Sequence, residues 1–432
     1  MSARQAKARR PSKGPAALWG WARTLGPGLV TGAADDDPSG IATYSQAGAQ
    51  FGFALLWTVF LTLPLMIAIQ LISAQIGRVT GRGIIANVKA FYPMPLVNVL
   101  VVLLLAANTF NIGADLAAMG DALALVIGGH GELYAVAFGI ISVILEVLVS
   151  YRFYAPILKW LTLVLFLYVA TALTVHIPWR SALFATVWPH VTLSADYLLM
   201  IVAIFGTTIS PYLFFWQASQ EVEEMQRGRP SLPLKFLVRG GKVELDRMAL
   251  DTSVGMVLSN LIAYFIILTT AATLNAHGVT DIHTAADAAN ALRPLAGDLT
   301  FFLFALGIIG TGLLAVPVLA GSAAYAISDA WGWRATLEAR PRDAMGFYGL
   351  IAVATLIGLG LTLAHIDPIH MLIWSAVLNG IVAVPVMAVM MVVSSNEAVM
   401  KKFQVRGSLL LVGWLATGVM AVAAGAFLWS LI

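Results

Sequence analysis

GAADDDPSGIA, residues Gly32 to Ala42, places three consecutive carboxylates, a proline and two glycines inside a run otherwise apolar enough to cross a bilayer. An Asp at the centre of an inserted helix costs about 2.5–3.5 kcal/mol on insertion scales. Irregular backbone at that depth is tolerated only where it is buried in protein or lines a cavity. The stretch therefore reads as a broken transmembrane helix whose break carries function.

The rest of the chain supports a membrane setting. Of 432 residues, 59% are hydrophobic and 11% charged, against roughly 25% charged in soluble domains. Apolar runs of about 20 residues number eleven: 24–47, 53–76, 96–119, 134–151, 155–176, 197–220, 250–274, 299–328, 345–364, 369–393 and 409–431. With the N-terminus inside, 23 of the 25 Lys and Arg fall on the cytoplasmic side, and only Arg180 and Arg293 fall outside. That asymmetry follows the positive-inside rule and predicts an outside C-terminus. Residues 1–23 read as a retained basic cytoplasmic arm, because no cleavable apolar segment follows it. All seven histidines lie at or near the outer side, which argues against a histidine proton relay at the midplane. With no cysteine there is no disulfide, thiolate metal site or catalytic thiol. No nucleophile–base pair stands out, so an enzyme is not expected, and no resident cofactor is implied.

The sixth span is interrupted too. It reads AIFGTTISPYLFFWQ, and Pro211 follows Pro38 by 173 residues. Two five-helix units, each opening on a broken helix, have that offset, and an odd helix count puts them in opposite orientations. The layout predicts an all-α, leucine-transporter-type 5+5 inverted repeat with its site at the two breaks. Repeat 1 spans 24–176, repeat 2 spans 195–393, and a last helix, 409–431, is an appendage.

The polarity of the breaks selects the sign of the ligand. The first half of span 1 ends near Ala34 and that of span 6 near Thr207. Helix C-termini present unpaired carbonyls and about half a negative charge each. With Asp37 they form an oxygen-rich, negative cage suited to a cation. Pro38 and Pro211 suit the first turn of each second half. Asp35 and Asp36 are candidates for an ion path, or for a water-filled vestibule or helix caps. Asn108, Asn111 and Asp115 recur on one face of span 3, and Thr207, Ser210, Gln217 and Glu221 form a similar stripe in span 6. Such stripes also serve interhelical hydrogen bonding. Asp115 and Glu146 (span 4) are further ion-path candidates, with Asn260 and Asn379 weaker ones. GRGIIA (Gly81 to Ala86) matches a dinucleotide fingerprint only loosely and lacks a preceding strand. The basic arm is explained by topology, and no nucleic-acid module is present.

GPGLVTGAADDDPSG with a downstream GTTISPYLFFWQ resembles the Nramp family of divalent metal transporters, which carry a DPGN motif in the first helix and an MPH motif in the sixth. The likeness implies that Asp37 binds metal and that Ala34 and Thr207 offer backbone carbonyls. Gly40 stands where the family has its metal-binding asparagine, and Ser210 where it has its methionine. Tyr212 and Gln217 replace histidines linked to proton movement, and both are ion-path candidates. The pattern is similar to the Nramp-related magnesium transporters, a prokaryotic branch. Replacing a thioether with a hydroxyl removes the preference for soft metals, and Gly40 is expected to enlarge the site for a hydrated ion.

The expectation is a multi-pass plasma-membrane importer of Mg²⁺, with Mn²⁺ also plausible, uncoupled from protons. Its partners would be the metal ion and the lipid bilayer, without an obligate protein partner. Three alternatives stay open: a proton-coupled Mn²⁺ or Fe²⁺ transporter, a sodium-coupled amino-acid transporter, and an Nramp-like membrane sensor. The last would need an output domain, and the chain ends just after its final span.

Overall fold

The computed structural model describes residues 27–149, 162–189, 191–226, 232–236, 241–337, 340–362 and 367–431. The basic arm, the opening of span 5, His190 and His365 lie outside the described residues. Those described are helical and joined by loops and turns, with no strand among them.

Span 1 is two helices, α1 (Pro27–Asp35) and α2 (Pro38–Phe51), separated at Asp36 and Asp37. Then come α3 (Leu56–Thr80), a short α4 (Ile84–Phe91), α5 (Met94–Ile127), α6 (Gly131–Leu148), α7 (Phe166–Thr174) and a short α8 (Trp179–Val187). Span 6 is again two helices, α9 (Ala195–Thr208) and α10 (Pro211–Gln226). The chain continues through α11 (Gly241–Thr273), α12 (Thr300–Trp331), α13 (Met345–Thr362), α14 (Pro368–Ser395) and α15 (Gly407–Ser430). Among the described residues nine runs are long and apolar enough to cross a membrane. One of them, Pro38–Thr80, joins α2 and α3 through a 3₁₀ turn, and the described part of span 5 forms a shorter apolar helix, Leu163–Thr174. This accommodates all eleven expected spans.

The packing has the exchange symmetry of an inverted repeat. Both halves of span 1 pack on α11, the seventh span, whereas α10 of the sixth packs on α3, the second. Small residues permit both approaches. A Cβ on Gly32 would collide with the backbone of Gly255, and one on Gly77 with the carbonyl of Ala218. The first half of span 6 lies equally close to span 10, where a Cβ on Gly206 would strike the Ala376 carbonyl.

The described parts of the basic loops after spans 2, 6, 8 and 10 meet at one end. There Arg78 pairs with Glu244 at 2.8 Å, Lys89 donates to the Ala330 carbonyl and Gln75 to that of Phe403. At the opposite end Asn275 donates to the Ala49 carbonyl, and His283 lies beside His370. The GRGIIA segment opens α4, whose early amide at Ala86 donates to Asp329 Oδ2 at 3.3 Å. That acid occupies the helix start where a pyrophosphate would sit in a dinucleotide fold.

Candidate metal site

The break in span 1 is shaped by Asp37. Its extended backbone places it as the N-cap of α2, where Oδ1 accepts the Gly40 amide at 2.7 Å. Pro38 at the first helical position loses no hydrogen bond there. The other oxygen, Oδ2, accepts Asn111 Nδ2 and the Tyr212 hydroxyl, each at 3.1 Å. Tyr212, on the first turn of α10, also lies 3.4 Å from the Ala34 carbonyl at the end of α1. One tyrosine thus joins the two breaks. All four residues are buried.

Support comes from spans 3 and 10. Asn111 is oriented by the Ser375 hydroxyl, which donates to its Oδ1 at 2.6 Å, and Ser375 sits 3.0 Å from Ser39. Asp115, one turn beyond Asn111, is fully buried, and neither of its oxygens has a hydrogen-bond partner among the described residues. It lies near the Ser39 amide without meeting hydrogen-bond geometry. A buried carboxylate without partners is costly, and here it stands beside Asp37.

The other expected residues fall into three groups. Ser210 turns its hydroxyl back onto the Gly206 and Thr207 carbonyls, both at 2.7 Å, and closes the end of α9. Asp35 and Asp36 are neither vestibular nor helix caps. Both converge on the hydroxyl of Ser259 on α11, at 2.5 and 3.0 Å, and both are buried. Its single proton serves one of them at a time. Glu146 is placed elsewhere, where its Oε2 accepts the Thr355 hydroxyl of α13 at 3.5 Å.

Two expectations need correction. Thr207, Ser210, Gln217 and Glu221 do not share one helical face, because the helix stops at Thr208 and restarts at Pro211. Gln217 instead accepts the Thr31 hydroxyl at 2.5 Å and donates to Glu221 at 3.2 Å. That line points to the basic end, into a pocket bordered by Glu221, Glu244, Asp251 and Arg78. Nor does Gly40 simply leave room. A Cβ there would sit 3.0 Å from Thr207 Oγ1 and 3.4 Å from the Tyr44 ring, so the missing side chain lets α2 close against α9.

Towards the opposite end a cavity of about 370 Å³ is lined in part by Asp121, Glu132 and Asp367. Asp121 also borders a smaller pocket that reaches Ile41 and Leu372, and the Leu372 carbonyl accepts the Ser39 hydroxyl at 2.9 Å. Asp121 escaped notice in the sequence because α5 runs eight residues beyond the expected end of span 3. Asn108 serves packing, donating to the Leu319 carbonyl and Ser322 of span 8. Asn260 likewise bonds the Val59 carbonyl of span 2.

The profile of the Nramp family, described as natural resistance-associated macrophage protein-like, matches residues 28–430. The chain belongs to the Nramp family. Among curated relatives it is similar to the divalent metal cation transporter MntH of Chromohalobacter salexigens, at 27% identity over 68% of this chain and 67% of that one. MntH of Pectobacterium carotovorum is 25% identical over 68% of this chain and 69% of its own length. Among solved structures, the Eremococcus coleocola manganese transporter in complex with an aromatic bis-isothiourea compound superposes with a TM-score of 0.79. It is 14% identical, with 97% of this chain and 88% of that one covered. A closed nucleobase-cation-symport-1 transporter gives 0.58 at 13% identity, covering 94% and 92%. This Nramp protein therefore has the leucine-transporter-type inverted-repeat fold expected from its two breaks.

Proposed function

We propose that this Nramp protein imports divalent metal ions by alternating access around the two broken helices, with Mg²⁺ as the best-fitting cargo and Mn²⁺ also carried. The observation that carries the proposal is the donor set at the breaks. Asp37, the Ala34 carbonyl and the Tyr212 hydroxyl converge there with Asp115 close by, and all are oxygens. A hard, oxygen-only set suits Mg²⁺ and Mn²⁺ and gives no advantage to softer metals. Similarity to the divalent metal cation transporters MntH supports divalent metal as the class of cargo. Asp37, Ala34, Gly40, Thr207 and Ser210 are assigned to the site. In this assignment Gly40 and Ser210 shape the break while Asp37 and the carbonyls face the ion.

Proton coupling is not required. Each charge gains about 2.3 kcal/mol per 100 mV, so a divalent ion gains about 4.6 kcal/mol, or roughly three decades of accumulation. The basic end is assigned to the cytoplasm, with the N-terminus inside and the C-terminus outside. The 370 Å³ acidic cavity then faces the medium and gathers cations.

A second reading, proton-coupled Mn²⁺ or Fe²⁺ transport, rests on Met119. This buried thioether lies one turn beyond Asp115 and flanks the face of Gly312 together with the Pro38 ring. The two readings separate in liposomes with an interior-negative potential, using internal reporters of Mg²⁺, Mn²⁺ and pH. Magnesium entry without acidification supports the first. Manganese entry with acidification and no magnesium flux supports the second.

A further inference from the structure

Outside the breaks, at the end opposite the basic loops, lies a separate group of metal-ligating side chains. His283 sits on the loop between α11 and α12, Asp367 caps α14, and His370 stands on the first turn of α14. One ligand atom from each falls within 4.8 Å of the others. His370 Nδ1 is 3.2 Å from Asp367 Oδ2, and His283 Nε2 is 3.3 Å from a fourth candidate, Asp281 Oδ2. The imidazole side chains are 60% and 50% exposed, so solvent reaches them.

The group is held in place from both sides. The second oxygen of Asp367 accepts the Ile369 amide at 2.9 Å, which fixes the carboxylate as a helix cap. On the loop, a capping box between Thr284 and Asp287 orders the chain next to His283, whose own amide donates to Asp287 at 3.3 Å. The Ile282 amide donates to Gln46 Oε1 at 2.9 Å and ties the same loop to α2.

Two imidazoles and one or two carboxylates form the donor set of a tetrahedral transition-metal site. Bonds of about 2.0–2.1 Å put neighbouring ligand atoms about 3.4 Å apart. The side chains need close by at most about 1.4 Å, which rotamer adjustment supplies. Magnesium takes oxygen ligands and keeps its waters, so it gains little here.

The location gives the site a consequence. Asp367 lines the 370 Å³ cavity, and Pro368 lines both that cavity and the deeper pocket towards Leu372. The same deeper pocket is bordered by Ala285 and Ala288 of the loop. A metal shared by His283 and His370 therefore links the loop to α14 across the mouth.

We propose that His283, Asp367 and His370 form a second metal site, of zinc type, whose occupancy clamps the loop onto α14 and restricts entry to the central site. Its effect on transport rests on the reading above, whereas metal binding and clamping do not. The full-length protein in detergent is titrated with Zn²⁺ by calorimetry. Amide hydrogen exchange across 279–292 is followed with and without Zn²⁺. Wild type is expected to bind one equivalent at least thirtyfold more tightly than the double variant His283→Ala/His370→Ala and to show zinc-dependent slowing of exchange in the loop. Equal zinc affinity in the two proteins overturns the site. Tighter wild-type binding with no slowing of exchange overturns the clamp. In liposomes, external zinc is expected to inhibit metal uptake at least tenfold more potently in wild type, the variant's zinc-free uptake being unchanged. Superimposable inhibition curves overturn the restriction of entry.

Discussion

Asp37→Asn separates charge from architecture at the central site. Asn caps a helix as well as Asp, so the Gly40 amide keeps its acceptor. The new amide group then faces Asn111 Nδ2 and the Tyr212 hydroxyl, which both donate to Oδ2 in the native protein. The Tyr212 hydroxyl can turn to the Ala34 carbonyl, which leaves Asn111 Nδ2 as the one mismatched donor, at about 1–3 kcal/mol, and in a chain of this length that lowers Tm by only a few degrees. The effect on the ion is larger. Removing one partner of a buried charge pair costs about 3–5 kcal/mol, or roughly two to three and a half decades of affinity. At a Mg²⁺ concentration that half-saturates wild type, uptake by the variant is expected to fall to about 2% or less. Liposome uptake under an interior-negative potential reads the flux, and a thermal melt of the same preparation reads the fold. Uptake within threefold of wild type by a variant of near-native Tm would refute the placement of the ion at Asp37.

Four further outcomes follow from the packing. Gly32→Ala drives a methyl into the Gly255 backbone, where no flexible group can yield, and is expected to cost more than about 3 kcal/mol, read as loss of the monodisperse peak on size exclusion. Gly40→Ala meets Thr207 Oγ1 at 3.0 Å and should lower Tm and uptake through about 1–2 kcal/mol of overpacking. Adding Thr207→Ala should restore the melt, and a double variant no better than the single would show that the contact is not the cause. Glu146→Gln should leave half-saturation for Mg²⁺ within twofold, because its bond goes to Thr355; a tenfold rise would place it on the ion path. Met119→Leu removes the thioether beside the break and should leave the Mg²⁺ to Mn²⁺ uptake ratio within twofold. A selective tenfold loss of Mn²⁺ would favour the second reading.

The broken helices were legible because proline and carboxylates leave a large signature against an apolar background. Helix ends at Asp35 and Thr208 fall one residue from the expected Ala34 and Thr207. The partners of Asp37 were less visible. Asn111 carries the same spacing as Asn108, yet one holds the central carboxylate and the other a carbonyl of span 8. Periodicity gives the face of a helix and not the neighbour across from it. Ser39 and Ser375 gave no signal, since serine is common in packed membrane helices. The short α4 and α8 were not expected, because a search for spans of about 20 apolar residues passes over helices of eight and nine residues. His283 and His370 were recognised as outer residues, and only the fold brings positions 87 residues apart together.

The geometry around Gly40 moves the question of selectivity from space to chemistry. Loss of an asparagine side chain was expected to open the site for a hydrated ion, but Thr207 and Tyr44 lie against the vacated direction. Ser210, in the place of a thioether, spends its proton on two carbonyls at the end of α9. That leaves its lone pairs, and those of the carbonyls, as hard donors. On the proposed assignment the central layer would discriminate by donor softness and charge, with two carboxylates, Asp37 and Asp115, in close company. A harder ion with tightly held waters loses least in such a layer, since Tyr212 and Asn111 can bond its waters as readily as they bond Asp37. Imidazole donors occur instead at the outer mouth, in His283 and His370. On the proposed orientation, a metal that prefers nitrogen would meet this mixed imidazole–carboxylate cluster before it reaches the break.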